Sequence, residues 1–303
     1  MLILKGRAVP CLAAVKPLLA ANIGKPDQAK AITEEIAKAF PAYQAAAADA
    51  RLIACGAVVS AVGNLRATIL IAVSLALIAV AAAPMRTARA QEWALEQMPS
   101  GATLHKVTAE PAEYMGRKAL KVELTEAAAG GRPGIDFRDM PTFVLIPATF
   151  KNGTIEVDVL GRLNGKGPPD ARAFVGLAYR VTGSGERFQS VYLRPLNGRK
   201  ANPPPPRDKR AIQYYAYPDW KFDRLRKEYP DGRFESGADI NADEWISLKI
   251  EIDDGRLRVR INGREELALA DVKIAPQSGS IGLWVDIGTA GYFANLRVRA
   301  VEG

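Results

Sequence analysis

The sequence predicts an all-β fold, in which two antiparallel sheets pack into a β-sandwich of the jelly-roll type. Three observations lead to this prediction. Apolar and polar residues alternate with a period of two over most of residues 91–303. Turn signals separate many short candidate strands at intervals of roughly 8–15 residues, as in sandwiches and jelly rolls. No stretch beyond Gln91 keeps a helical period for more than two turns.

The clearest element is a β-hairpin over residues 246–261. Isoleucine and leucine occupy every second position from Ile246 to Ile252, with Ser, Lys and Glu between them. Asp254-Gly255 turns the chain, and the alternation resumes from Leu257 to Ile261. This pattern predicts two paired strands with one buried and one hydrated face.

Other candidate strands follow from the same alternation. They are residues 104–108, 119–125, 143–147, 154–159, 173–181, 188–194, 212–217, 280–285 and 292–299. Two longer connections interrupt the series. Residues 197–210 contain four consecutive prolines, which lack the N–H donor that a strand ladder needs, so they predict a stiff surface loop. Residues 219–243 form a second, charged insertion.

Residues 66–90 have the organisation of a secretory signal peptide. Arg66 precedes an uncharged apolar run, Pro84 ends the run, and Ala88-Arg89-Ala90 provides an A-x-A cleavage site before Gln91. The alternative is an uncleaved membrane anchor, since the run of 17 residues is at the lower limit of the roughly 17–25 that span a bilayer. We expect a periplasmic or secreted protein.

The predicted chain therefore has three parts: an N-terminal extension over residues 1–65, a signal helix over 66–90, and a β-sandwich domain over 91–303. The extension is expected to be helical or disordered. Export signals normally start near the N-terminus, so we interpret residues 1–65 as an over-long gene prediction. A genuine cytoplasmic extension is the alternative.

Composition beyond residue 90 excludes several classes of function. Ten of the 41 Lys and Arg residues and four of the 33 Asp and Glu residues precede Gln91, which leaves a net charge of only +2. We therefore expect no nucleic-acid partner. Both cysteines, Cys11 and Cys55, also precede the cleavage site, and His105 is the one histidine. We expect no metal site, no cofactor and no His-based catalytic triad. The protein is expected to be a monomer that meets a membrane only through an uncleaved signal segment.

Several segments resemble the concanavalin A-like lectin/glucanase superfamily, and most nearly its laminin-G-like jelly rolls and 3-keto-disaccharide hydrolase-like domains. The segments that carry this resemblance are residues 153–159, 174–180, 191–199, 245–250, 282–284 and 291–298. The resemblance implies two stacked antiparallel sheets, one of them concave, with carbohydrate as the usual ligand of that face. Proteins of this fold can hold a structural calcium, but no motif here indicates one.

A group of polar and aromatic residues around the proline-rich loop predicts a saccharide site. Aromatic rings stack on the apolar face of a sugar, while Arg and Gln bond its hydroxyl groups. The alternative is that these are half-buried strand residues, since Tyr is common in strands. The predicted ligand contacts are Arg180, Tyr192, Arg194, Gln213, Tyr215 and Trp220.

Three functions remain open on the sequence alone. The first is an exported carbohydrate-binding β-sandwich protein that recognises a saccharide on its concave sheet. The second is a periplasmic glycoside hydrolase of the 3-keto-disaccharide type, whose acid would be Asp219, Glu228 or Glu235. The third is a laminin-G-like protein-interaction domain that uses the loops 197–210 and 219–243 as its contact surface.

Overall fold

The computed structural model describes residues 88–301. These residues form two antiparallel sheets that pack as a sandwich. The predicted all-β sandwich is confirmed, and so is the two-sheet architecture that the resemblance to the concanavalin A-like superfamily implies.

The first sheet has eight strands. They are β1 (Ala88–Trp93), β3 (Val107–Tyr114), β4 (Arg117–Leu124), β6 (Asn152–Leu163), β11 (Ile246–Asp253), β12 (Arg256–Ile261), β13 (Arg264–Leu269) and β15 (Thr289–Val301). Their order is β13-β12-β11-β6-β15-β4-β3, and β1 pairs with β15.

The second sheet has seven strands and carries the candidate site. They are β2 (Thr103–His105), β5 (Phe143–Phe150), β7 (Val175–Thr182), β8 (Arg187–Leu193), β9 (Ile212–Tyr217), β10 (Glu235–Ser236) and β14 (Gly279–Val285). Their order is β10-β9-β8-β7-β14-β5-β2.

Helices are short and lie in the connections. They are α1 (Glu126–Ala129), α2 (Phe222–Glu228), and 3-10 helices at Pro195–Asn197, Arg199–Ala201 and Arg207–Lys209. The prediction that the proline-rich segment 197–210 is not a strand is confirmed. None of the helices within residues 88–301 is long and apolar enough to span a membrane.

The predicted hairpin is formed by β11 and β12. Leu248 pairs with Ile261 and Ile252 with Leu257 across the two strands. The alternating apolar side chains are buried, whereas Ser247 is exposed and its polar neighbours are partly exposed. The alternation of apolar and polar residues therefore correctly predicts which face of this hairpin is buried and which is exposed to solvent.

Strand β1 was not predicted, and it runs across the expected cleavage site. It pairs with β15 from Ala88 opposite Val301 to Trp93 opposite Leu296. A cut before Gln91 would leave the second half of this strand in place. The apolar run at 67–83 and the extension 1–65 lie outside the described residues.

The two faces of the second sheet have different surroundings. A Cβ atom added at Gly291 of β15 would lie 2.5 Å from Val285 Cγ1 and 3.3 Å from Val175 Cγ2. These valines therefore face the first sheet. Because side chains alternate along a strand, Gly176 and Trp284 point to the outer face.

Aromatic rings cover this outer face, and chain segments cover the rings. Trp284 lies 4.7 Å from Tyr192, Tyr192 lies 5.7 Å from Tyr215, and Tyr215 lies 5.7 Å from Phe188 between ring centroids. All four side chains are 2% exposed or less. The indole N–H of Trp284 donates to the carbonyl of Met140 at 2.9 Å, so the segment before β5 closes over the rings.

Candidate functional site

A cavity of about 220 Å³ lies at the end of β8, where the covering segments leave part of the outer face open. It is lined by residues of several connections as well as by β8 and its continuation. The lining consists of Arg138, Asp139, Asp170, Arg172, Phe174, Tyr192, Arg194, Asn197, Arg207, Arg210, Phe222, Arg226, Asp286 and Ile287. Six of these side chains are arginines and three are aspartates.

Tyr192 and Arg194 come from one face of β8 and its continuation. The Arg194 guanidinium donates to the Tyr192 hydroxyl at 2.7 Å and to Gln213 Oε1 at 3.1 Å. The Tyr192 hydroxyl and the charge on Arg194 both act to lower the pKa of Asp139. An arginine and a tyrosine on the sheet therefore act on an acid of the covering segment.

Asp139 lies in a constrained turn. Arg138 and Asp139 both have left-handed backbone angles, with φ of 69° and 55°. Asp286, which follows β14, accepts the N–H of Arg138 at 3.0 Å and that of Asp139 at 3.2 Å. The N–H of Phe222, at the start of α2, donates to Asp139 Oδ2 at 2.8 Å. Three segments distant in sequence therefore meet at these two carboxyl groups.

Burial controls the acidity of this pair. Removal from water raises the pKa of Asp139 to about 7; repulsion by Asp286 adds to this, while the bond from Phe222 and the charge on Arg194 oppose it. Burial also raises the pKa of Asp286, against three backbone N–H donors. Because the pKa of Asp139 is about 7, this carboxyl still carries its proton in part of the molecules at neutral pH and can donate it.

Glu235 is held in the opposite state. Its side chain is 5% exposed and contacts Arg194 at 3.0 Å, Arg226 at 2.8 Å and Arg210 at 3.6 Å. Burial acts to raise the pKa of this carboxyl, but the three arginines outweigh it and keep the pKa below its usual range. Glu235 is therefore a fixed anion.

A second cavity, of about 390 Å³, lies on the other side of this ion cluster. Arg210 and Arg226 line both cavities, and Glu235 and Tyr229 line the second. In the part of the chain that the structure describes, no group of three or more His, Cys, Asp or Glu side chains is arranged to hold a metal ion.

The predicted ligand contacts are distributed unevenly around this site. Tyr192 and Arg194 line the first cavity. Gln213 is fully buried behind Arg194, where it accepts the arginine bond and donates to the carbonyl of Tyr214. Tyr215 is also fully buried, against the ring of Tyr192.

Arg180 and Trp220 lie apart from the first cavity. Arg180 is fully buried and donates to Lys151 O at 2.7 Å and to Asp254 O at 2.9 Å, so it joins β7 to the turn of the hairpin. The ring of Trp220 packs under the Arg224 guanidinium at 4.0 Å and near Lys273 Nζ at 5.3 Å. The structure gives both side chains partners within the protein.

The three predicted acids also differ in their surroundings. Asp219 is exposed, and its backbone carbonyl accepts from Arg224. Glu228 is exposed and pairs with Arg224 at 2.7 Å on the surface of α2. Neither lines a cavity described above, whereas Glu235 lines the second.

Sequence reasoning missed Asp139, Asp286, Arg172 and Phe174. One local signal was available for Asp286, because it directly follows the wholly apolar end of a strand, Ile281–Val285 apart from Gly282. A carboxylate at the end of a buried strand needs partners, which directs attention to it. The partner Asp139 is 147 positions away and carries no comparable signal.

Comparison with known proteins gives likenesses in fold. No family model and no curated protein matches the chain. A carbohydrate-binding module, CBM66 from Bacillus subtilis, is 12% identical, with a TM-score of 0.38 over 64% of this chain and 96% of that one. Domain 4 of AbnA, an extracellular arabinanase from Geobacillus stearothermophilus solved with arabinotriose, is 14% identical, with a TM-score of 0.38 over 71% and 93%. The Caenorhabditis elegans galectin LEC-6 is 14% identical, with a TM-score of 0.32 over 53% and 93%.

The raised pKa of Asp139 predicts a specific dependence of stability on pH. The folded protein holds this proton up to a pH of about 7, whereas the unfolded chain releases it near 3.8. The wild-type protein should therefore lose stability relative to Asp139→Asn as the pH rises from about 4 to about 7. Urea unfolding of both proteins across this range measures the difference.

The matched control for this measurement is Asp170→Asn, since Asp170 lines the same cavity but its side chain is 63% exposed. We expect its difference from the wild type to change much less with pH. A difference between wild type and Asp139→Asn that is constant from pH 4 to 7 would show that Asp139 is ionised throughout.

Proposed function

We propose that the protein binds a saccharide in the cavity at the end of β8. The observation that supports this most is the convergence of one partly exposed aromatic ring, Phe174, with Tyr192, Arg194 and Asp139 around a single polar cavity. Saccharide sites combine a flat apolar surface with a few fixed hydrogen-bonding groups.

Each group in the cavity has a role in this proposal. The ring of Phe174 lies 6.1 Å from that of Tyr192, edge to face, and is the apolar surface for a sugar ring. Phe222 is less suited, because the Arg226 guanidinium already lies 4.9 Å from its ring centroid. The Nη hydrogens of Arg194 are already donated within the protein, which leaves its Nε–H for the ligand. Asp139 donates or accepts according to its protonation.

The size of the cavity limits the ligand. About 220 Å³ is below the roughly 300–1,000 Å³ typical of sites for drug-sized ligands. The cavity therefore suits one sugar unit. The neighbouring cavity, across the Glu235 cluster, offers space for a further unit of a longer chain.

The loops expected to form a protein contact surface also line the cavity at the end of β8. Asn197, Arg207 and Arg210 of the proline-rich loop line the cavity, as do Phe222 and Arg226 of the second insertion. Asn197 is buried and its side-chain amide donates to the carbonyl of Arg210 at 3.2 Å, which fixes the two ends of that loop together. We therefore favour the ligand-binding function over the protein-interaction function.

Export is part of the proposal and rests on the sequence of residues 66–90. A basic residue, an apolar run and the A-x-A site remain the argument for a cleaved signal. The binding domain would then work in the periplasm or outside the cell.

The binding proposal predicts that Phe174→Ala weakens saccharide binding about tenfold or more, because one lost aromatic contact is worth on the order of 1.4 kcal/mol. A glycan array identifies the ligand and isothermal titration calorimetry gives Kd. Phe174 is partly exposed, so the variant should remain folded, which a melting curve checks.

Two control variants make this test specific. Leu163→Ala removes an apolar side chain that is 44% exposed and lies outside the cavity, so Kd should not change. Arg180→Met changes a predicted ligand contact that donates to backbone carbonyls and does not line this cavity; the variant should lower the melting temperature and leave Kd unchanged. An unchanged Kd in Phe174→Ala, together with loss of binding in Arg180→Met, would refute this site.

A second candidate function is glycoside hydrolysis, and the buried acid pair favours it. A carboxyl with a pKa of about 7 is suited to protonate the leaving oxygen of a glycosidic bond at neutral pH. Asp286 is the other buried carboxyl in the lining. In this reaction Asp139 gives its proton to the leaving oxygen, the C–O bond breaks, and water adds to the sugar carbon as its proton passes to Asp286.

The hydrolytic candidate predicts that Asp139→Asn lowers kcat about 100-fold or more, because general acid catalysis contributes roughly 10²–10⁴-fold. Saccharide affinity should be retained. Release of reducing sugar, or of 3-keto-sugar, measures turnover. Glu228→Gln is the control, since Glu228 is exposed on α2. If Glu228→Gln lost turnover while Asp139→Asn retained it, the catalytic acid would be Glu228 on the surface of α2.

The export proposal predicts that the secreted protein begins at Gln91. N-terminal sequencing or intact mass spectrometry of protein recovered outside the cytoplasm checks this. A mature chain that retains residues 66–90 would identify that segment as an anchor instead.

A further inference from the structure

The cavity at the end of β8 carries more positive than negative charge. Six arginines line it, against three aspartates, and one of these, Asp139, has its pKa raised to about 7. Glu235 lies directly behind the lining and supplies one further negative charge. The cavity is therefore cationic at neutral pH.

Four of the six arginines contact a protein carboxylate. Arg194, Arg210 and Arg226 surround Glu235. Arg138 pairs with Asp170 at 3.3 Å. These contacts fix the four guanidinium groups inside the protein, although three of them share the single charge of Glu235.

Within residues 88–301, Arg172 and Arg207 form no ion pair with a carboxylate. Arg172 donates from Nη1 to the carbonyls of Pro169 at 3.0 Å and Ala171 at 2.6 Å, which fixes the guanidinium without neutralising it. Arg207 is exposed, and no hydrogen bond or ion pair of its guanidinium occurs among residues 88–301.

The guanidinium groups of Arg172 and Arg207 line the same cavity. Burial lowers the pKa of Arg172, the charge on Arg207 lowers it further, and Asp170 offsets only part of this. Two like charges that line one cavity, and that Asp170 offsets only in part, favour an anion between them. A guanidinium binds the oxygens of a carboxylate or sulfate with two parallel hydrogen bonds.

We propose that the ligand of this cavity is an acidic saccharide, whose carboxylate or sulfate group binds between Arg172 and Arg207 while its sugar ring contacts Phe174. This inference rests on the proposed saccharide-binding function and narrows its substrate class. Arg172 is fixed by its two carbonyl contacts, so little side-chain freedom is lost when the anion binds.

The test compares ligands that differ only in charge. Short oligogalacturonides are measured against their methyl esters, and sulfated galacto-oligosaccharides against their unsulfated forms, by calorimetry with the full mature domain. We expect at least one acidic member to bind about tenfold or more tightly than its neutral counterpart, since a hydrogen bond to a charged group contributes this much. The pair with the larger ratio distinguishes carboxylate from sulfate.

The variants localise the effect. Arg207→Gln and Arg172→Gln should each reduce the acidic-to-neutral ratio towards one, while the affinity for the neutral form stays the same. Arg258→Gln is the matched control, because Arg258 is exposed on β12 of the other sheet and should leave the ratio intact. Inorganic sulfate and acetate, measured alone, should bind at least tenfold more weakly than the acidic saccharide.

The outcomes distinguish failure of the acidic substrate class from failure of the proposed saccharide-binding function. Equal affinity for acidic and neutral forms, with both weakened by Phe174→Ala, would overturn the acidic substrate class and keep the saccharide site. A ratio unaffected by Arg172→Gln and Arg207→Gln would also overturn it, as would tight binding of inorganic sulfate alone. If neither acidic nor neutral members of these and a broader glycan panel bind, both proposals fail.

Discussion

The candidate site depends on one buried carboxylate. Asp286 is 4% exposed and accepts the backbone N–H groups of Arg138, Asp139 and Ile287. Two of these residues have left-handed backbone angles, which cost on the order of 1–3 kcal/mol each without compensating contacts. Asp286 supplies those contacts, so it holds the covering segment in the conformation that brings Asp139 into the cavity. Thr142 reinforces the connection by donating to Val285 O at 2.6 Å.

The covered outer face changes the kind of binding surface that this sandwich offers. Trp284, Tyr192 and Tyr215 would form an aromatic platform if the sheet were open, but Met140 and the segment around it lie over them. The rings therefore stabilise the fold, and ligand recognition is left to groups at the end of the platform. Since these groups come from several connections, the geometry of the cavity follows from the packing of loops on a rigid sheet.

The sequence predicts features that neighbouring residues determine, and it does not predict contacts between residues far apart in the chain. Strand β9 matches its predicted bounds, because alternation reports a local environment. The same alternation along residues 188–194 predicted that Tyr192 and Arg194 share one face. Alternation does not predict the position of Arg180. A register shift after Tyr179 and a φ of 53° direct its side chain towards the hairpin turn. The pair formed by Asp139 and Asp286 was not predicted, because two residues 147 positions apart leave no local pattern in the sequence.

The most direct test of this binding site is a crystal structure of the protein with its highest-affinity saccharide from the array. We expect a sugar ring against Phe174, within hydrogen-bond distance of Asp139 or Arg194, and the segment around Met140 still covering Trp284. A saccharide bound on the outer face after displacement of that segment, or on the first sheet, would contradict it. In either case the cavity at the end of β8 would not be the recognition site.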